Sequence, residues 1–126
     1  VPTPVAYGML ARQRERSPSP GFAAIHDLRV LSTWEGVGAL AANDFEEVVR
    51  PHFPLLARIR KALEETGPRI ALLSGSGSAL FSVYRGEEEA AWARDGMEAQ
   101  FPEVRFVLSR TLAGSGDPSP EGGVEA

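Results

Sequence analysis

The chain has no cysteine and only two histidines, His26 and His52, among its 126 residues. The first absence excludes a disulfide framework and a thiolate metal centre, and two histidines isolated in sequence do not make a His-based one. Both are read as structural or surface residues, and no metal site is expected. Concentrated positive charge is missing too. The formal net charge is -4 and the isoelectric point is about 5.2, whereas nucleic acid and anionic membrane both require a cationic surface, so neither is expected as a partner. The one basic cluster, Arg12, Arg14 and Arg16, is interleaved with Gln13 and Glu15 and reads as the solvated end of a helix, not a phosphate clamp. There is no long apolar run, and no charged leader stands at Val1. Neither a signal peptide nor a membrane span is therefore read, and the expected compartment is the cytoplasm. With 43% hydrophobic and 24% charged residues, the remainder is ordinary material for one packed domain.

Thr3 before Pro4 predicts a helix over about residues 4–14, since the hydroxyl can cap a backbone N–H and proline's fixed φ suits the first helical position. Residues 17–21, Ser-Pro-Ser-Pro-Gly, must then be a loop. Residues 22–32 fit no clear period and are assigned irregular or short helical structure. Ser32 and Thr33 cap a helix over 34–42, and Asn43 offers a second cap ahead of Asp44, Glu46 and Glu47. From Pro54, Leu55, Ile59 and Leu63 recur every four residues and predict an amphipathic helix with Arg58, Arg60 and Lys61 in solvent, ended by Gly67 and Pro68. Two short apolar runs, 70–73 and 79–84, flank a Gly/Ser linker and read as a hairpin. Residues 87–100 predict a helix whose apolar side includes Trp92 and Met97, and the alternation at Val104, Phe106 and Leu108 predicts a third strand. The tail, 114–126, has almost nothing to bury and is expected to be disordered.

The resulting order is an α+β split pattern with helices on one face of an antiparallel sheet. Three strands are few for it. Either Val30 belongs to a fourth, or chain preceding Val1 completes the sheet.

The sharpest chemical feature is Ser74-Gly75-Ser76-Gly77-Ser78. Two glycines permit a tight turn and close backbone approach, and successive N–H groups with three hydroxyls form a nest suited to phosphate oxygens. It is neither a Walker A loop nor a dinucleotide fingerprint, lacking the Lys-Ser/Thr pair of one and the third glycine of the other. A plain hairpin turn remains the alternative. Thr3 and Tyr7, four apart on one helix face, form a small platform on which a base could stack, although such a tyrosine can equally be half-buried core. The acids at 44, 46 and 47 are explained by capping. Nothing assembles a Ser/His/Asp set or a carboxylate pair, so no catalytic residue is assigned.

Three segments in order resemble the GHMP kinases: Pro2-Thr3-Pro4-Val5-Ala6-Tyr7, Asn43-Asp44-Phe45-Glu46, and the Gly/Ser run extended through Ala79-Leu80-Phe81. The last is similar to the third conserved GHMP motif, and the combination resembles the carboxy-terminal domain of the 4-diphosphocytidyl-2-C-methyl-D-erythritol kinases. The resemblance implies a ferredoxin-like split α/β domain over residues 1–113. It implies transfer of the ATP γ-phosphoryl group to the substrate's 2-hydroxyl, a step of non-mevalonate isoprenoid precursor synthesis, with ATP and Mg2+ held mainly by an amino-terminal domain absent from this chain. Carried over by position, Tyr7 would stack on the cytosine ring, Thr3 would lie beside the substrate, Ser74, Gly75, Ser76, Gly77 and Ser78 would support the phosphate region, and Asn43 would be structural. The family's phosphate loop and its catalytic Lys and Asp are missing, so the chain alone is expected to be inactive. Two alternatives remain: another GHMP kinase, acting on homoserine, mevalonate or a sugar, and a non-catalytic α+β binding module.

Overall fold

Proline and glycine punctuate the chain much as the sequence suggests. The computed structural model describes residues 1–17 and 27–112. Residues 18–21 of the expected loop, residues 22–26 of the unassigned stretch, among them His26, and the tail 114–126 lie outside that range.

Helix α1 runs Thr3–Arg16, with Pro2 as its N-cap residue and no side-chain cap bond. Thr3 is thus the first helical residue and not the cap, and its hydroxyl is available for another partner. A 3-10 turn, Leu28–Ser32, follows Asp27, whose carboxylate accepts the Arg29 N–H. The Arg29 guanidinium and then that N–H hold the Asp27 carboxyl below its ordinary range. Val30 sits in this turn and not in a fourth strand. Helix α2, Trp34–Leu40, is capped as expected by the Thr33 hydroxyl on the Gly36 N–H at 3.1 Å. Gly36 is required by crowding: a Cβ there would meet the Val30 carbonyl oxygen at 1.8 Å.

Helix α3, Phe45–Val49, is short, with Glu46 and Glu47 in its first turn. Another 3-10 turn, Arg50–His52, leads to α4, Pro54–Glu65. Ile59, Ala62 and Leu63 of α4 are buried, whereas Leu55 is exposed and Leu56 packs inward in its place. Gly67, at φ +77, closes the helix in a left-handed conformation that suits glycine. Strands β1, Ile70–Leu73, and β2, Leu80–Val83, pair antiparallel with Ile70 opposite Val83 and Leu73 opposite Leu80. Helix α5, Glu87–Gln100, opens on three glutamates that suit the positive end of its dipole. Ala93 and Met97 bury one side of it, while Trp92, expected on that side, is 70% exposed.

These elements enclose two apolar clusters. One joins α4, β1 and α5 through Ile59, Leu63, Ala71, Met97 and Phe101; the other joins α1, α3 and β1 through Ala6, Val48, Val49 and Leu73. Leu80 packs against both. The arrangement is α+β, with five α-helices and a two-stranded sheet among the described residues.

The third strand expected at 104–108 does not form. Its alternation is real, since Val104 and Phe106 pack on the first cluster. A ladder also needs a backbone partner, however. The Val104 N–H closes a turn on the Phe101 carbonyl, and among the described residues 105–112 make no backbone–backbone hydrogen bond. A hairpin of two four-residue strands is marginal by itself, so α4 and α5 must supply most of its stability.

Candidate functional site

The Gly/Ser turn closes with the Ser74 N–H on the Ala79 carbonyl at 2.8 Å and the Gly77 N–H on the Ser74 carbonyl at 3.1 Å. Gly75 at φ +55 and Gly77 at φ +91 hold conformations that a side chain would strain. Two amides are therefore spent on the turn itself. Those of Gly75, Ser76 and Ser78 have no backbone partner among the described residues, and with the serine hydroxyls they form a donor set suited to an oxyanion.

Helix α3 holds this turn in place. The Asn43 side-chain amide donates to the Leu73 carbonyl and to the Gly75 carbonyl, both at 2.8 Å, while its Oδ1 accepts the Phe45 N–H at 3.0 Å. One side chain thus caps α3 and ties it to both sides of Ser74. Glu46 reinforces the clamp, its Oε1 accepting the Leu73 N–H at 2.6 Å and the Arg60 Nε–H at 3.2 Å. Arg60 also lies 2.6 Å from Glu64, as a charge contact without an aligned hydrogen bond. Glu46 and Arg60 side chains are only 12% and 11% exposed, which corrects the expectation that Arg60 stays in solvent.

Helix α1 meets the turn from the other direction. The Thr3 hydroxyl lies 3.2 Å from the Ser76 hydroxyl, so the structure brings together the first and third sequence segments. Tyr7, one turn later, is 58% exposed and sets its ring edge-on to Phe45 at 4.9 Å between centroids. One side of the ring is thereby braced while much of it remains open for stacking. Arg14 pairs with Asp44 at 2.7 Å, and Gln13 donates to Glu47 at 3.1 Å. Both bonds fix α1 on α3, although each is half in water and contributes little alone.

All the sequence-predicted residues therefore fall on α1 or the turn, and Asn43, Phe45 and Glu46 join them as supports. Capping explained the polar members of that segment so fully that nothing in the pattern pointed to a second role. Two concavities flank the site, neither lined by Tyr7. One of about 400 Å³ lies between α1 and the Arg50–His52 turn, and one of about 1000 Å³ lies beside β2, reaching the Gly/Ser turn through Ser78 and Ala79.

Asn43→Ala should release the turn. Two bonds to carbonyls and one cap are lost, so a destabilisation of about 2 kcal/mol is expected, read as a lower urea midpoint, together with faster amide exchange at residues 74–78. Unchanged exchange there would show that the turn holds its shape without Asn43.

Residues 24–103 match the family model described as GHMP kinases C terminal. Among curated proteins, the chain is similar to the 4-diphosphocytidyl-2-C-methyl-D-erythritol kinase of Chlorobaculum tepidum, with 36% identity over 90% of this chain and 38% of that protein. The enzymes of the same name from Rhizobium meliloti and from Synechococcus sp. strain JA-3-3Ab are 29% and 34% identical over 92% and 87% of this chain, and 37% and 38% of their own lengths. The chain thus spans a little over a third of the length of the curated relatives it matches.

Proposed function

Because the chain belongs to the GHMP kinase C-terminal family, we propose that it is the substrate-side domain of a small-molecule kinase that phosphorylates the 2-hydroxyl of 4-diphosphocytidyl-2-C-methyl-D-erythritol. The observation that carries this reading is the contact between Thr3 on α1 and Ser76 in the turn, with Tyr7 one helical turn away. An aromatic shelf and an anion nest on adjoining elements match a substrate with a base at one end and phosphate in the middle. The names of the relatives support the same substrate.

In this reading Tyr7 stacks on the cytosine, Thr3 contacts the substrate, and residues 74–78 present N–H and O–H donors to phosphate oxygens. Residues 1–113 form a ferredoxin-like split α/β domain followed by a tail, and an amino-terminal domain supplies the catalytic residues and most of the ATP site. The donors of the turn fit ATP or substrate phosphate. They do not fit Mg2+, because Glu46, the carboxylate next to the turn, is engaged by the Leu73 N–H and Arg60. The metal is accordingly assigned to the amino-terminal domain.

The test is substrate choice. The complete protein, given ATP and in turn the cytidyl substrate, homoserine, mevalonate and a hexose, should phosphorylate the first with a kcat/KM at least about 100-fold above the others, as differences of about 3 kcal/mol in binding require. Preference for one of the other three would assign the chain to a different GHMP kinase. Binding of these ligands without any phosphorylation would favour a non-catalytic module.

A further inference from the structure

Tyr7 stands on the open side of α1, with 58% of its surface in solvent. On a helix a tyrosine has two χ1 rotamers open to it, and a ring with nothing against it divides its time between them. A shelf for a base needs one of the two. Whatever holds the ring there sets the fraction of molecules that are ready to bind.

Among the described residues, the ring that meets Tyr7 is that of Phe45, at 4.9 Å between centroids and 81° between planes. This is the edge-to-face arrangement that the charge distribution of two aromatic rings favours. Whichever ring supplies the edge, at least one face of the tyrosine stays uncovered by Phe45. The contact therefore orients the ring without closing it to a base.

Phe45 is itself firmly seated. Its side chain packs on the second apolar cluster, formed by Ala6, Val48, Val49 and Leu73, and Asn43 Oδ1 accepts its N–H at 3.0 Å. The next residue, Glu46, is held by the Leu73 N–H and by Arg60. On either side, Arg14 pairs with Asp44 and Gln13 with Glu47, so α1 cannot slide along α3 without breaking both contacts. An exposed ring on α1 thus leans on a fixed ring on α3.

The same support reaches the Gly/Ser turn. Asn43, two residues before Phe45, donates to the Leu73 and Gly75 carbonyls, so the start of α3 holds the nest with one side chain and the shelf with another. Neither can shift relative to α3 alone.

We propose that Phe45 is a positioning residue for the base end of the substrate: it holds the Tyr7 ring in the rotamer that stacks on cytosine and, with Asn43, fixes the distance from that ring to the phosphate-facing turn. This rests on the kinase reading above, in which Tyr7 is the shelf. Aromatic pairs of this geometry bias two rotamers by about 2- to 10-fold. A shelf that is formed for only part of the time binds more weakly in the same proportion.

The experiment is a double-variant cycle on the complete protein, with the cytidyl substrate and ATP. Phe45→Leu keeps apolar volume on the cluster and removes the ring; it should raise KM by about 2- to 10-fold and leave kcat within about twofold, because a misfolded protein would lose kcat as well. Phe45→Tyr restores a ring and should match the parent. In a Tyr7→Ala background, Phe45→Leu should change KM by less than about twofold, since its partner is already gone. An unchanged KM for Phe45→Leu, beside a raised KM for Tyr7→Ala, would overturn the positioning role and leave the kinase reading intact. The same increase with and without Tyr7 would also overturn it, because Phe45 would then act by another route. A Tyr7→Ala protein with parental KM would instead remove the shelf, and this inference with it.

Discussion

Replacing Glu46 with alanine should destabilise the domain by about 3–5 kcal/mol, the usual consequence of removing one partner from a buried ion pair. The pair with Arg60 is almost entirely out of water, and the same carboxylate oxygen holds the Leu73 N–H. Alanine leaves both an unpaired guanidinium and an unpaired amide. Glu64 still faces Arg60 but is itself more than half exposed, so it offsets only part of the loss. In a domain of this size the change should lower Tm by roughly 15 °C or more. Glu46→Gln keeps an acceptor for the amide and loses the charge, so it should fall between the two proteins. The double variant Glu46→Met with Arg60→Met should recover part of the stability, because neither charge is then stranded. A Glu46→Ala protein within about 1 kcal/mol of the parent would mean that β1 is not anchored to α3 through this side chain.

The second large effect concerns binding. In the complete protein, Tyr7→Ala should raise KM for the cytidyl substrate by about 10- to 100-fold, since stacking of one base on an aromatic ring is typically a matter of 1–3 kcal/mol. The turnover number should barely move. In the proposed reading the ring contacts a part of the substrate remote from the reacting hydroxyl, so substrate and transition state would lose the same interaction. Tyr7→Phe keeps the stacking face and should stay near the parent. Loss of the edge-on contact with Phe45 should lower stability by only about 0.5–1.5 kcal/mol, so the KM effect is separable from unfolding. A fall in kcat at constant KM would place Tyr7 near the chemistry and contradict its assignment as a shelf for the base.

Local signals fixed most of the fold. The repeat at Ile59 and Leu63, the capping hydroxyl of Thr33, the left-handed Gly67 and the paired apolar runs around the Gly/Ser turn each depend on nearby residues, and each element formed where its pattern stands. The departures share a different cause. Residues 104–108 alternate like a strand but lack a neighbour to pair with, and Arg60 carries the composition of a wet helix face but meets Glu46 across α3. Thr3 looks like a cap, yet Pro2 takes that position and frees the hydroxyl for Ser76. In the candidate site, the tight turn and the placing of Thr3 and Tyr7 on one helix were legible because glycine permits the left-handed backbone and a proline start sets the helix. Asn43 was not, because a cap and a clamp require the same side chain, and only the approach of α3 to β1 distinguishes them.

Transfer of labelled γ-phosphate from ATP to the cytidyl substrate measures directly whether this domain is part of a phosphoryl-transfer enzyme, as proposed. Residues 1–126 alone should transfer none, and the complete protein, with the proposed amino-terminal domain, should turn over at a rate ordinary for kinases, about 1–100 per second. A complete protein that binds the substrate and leaves the label on ATP would contradict the account at its root.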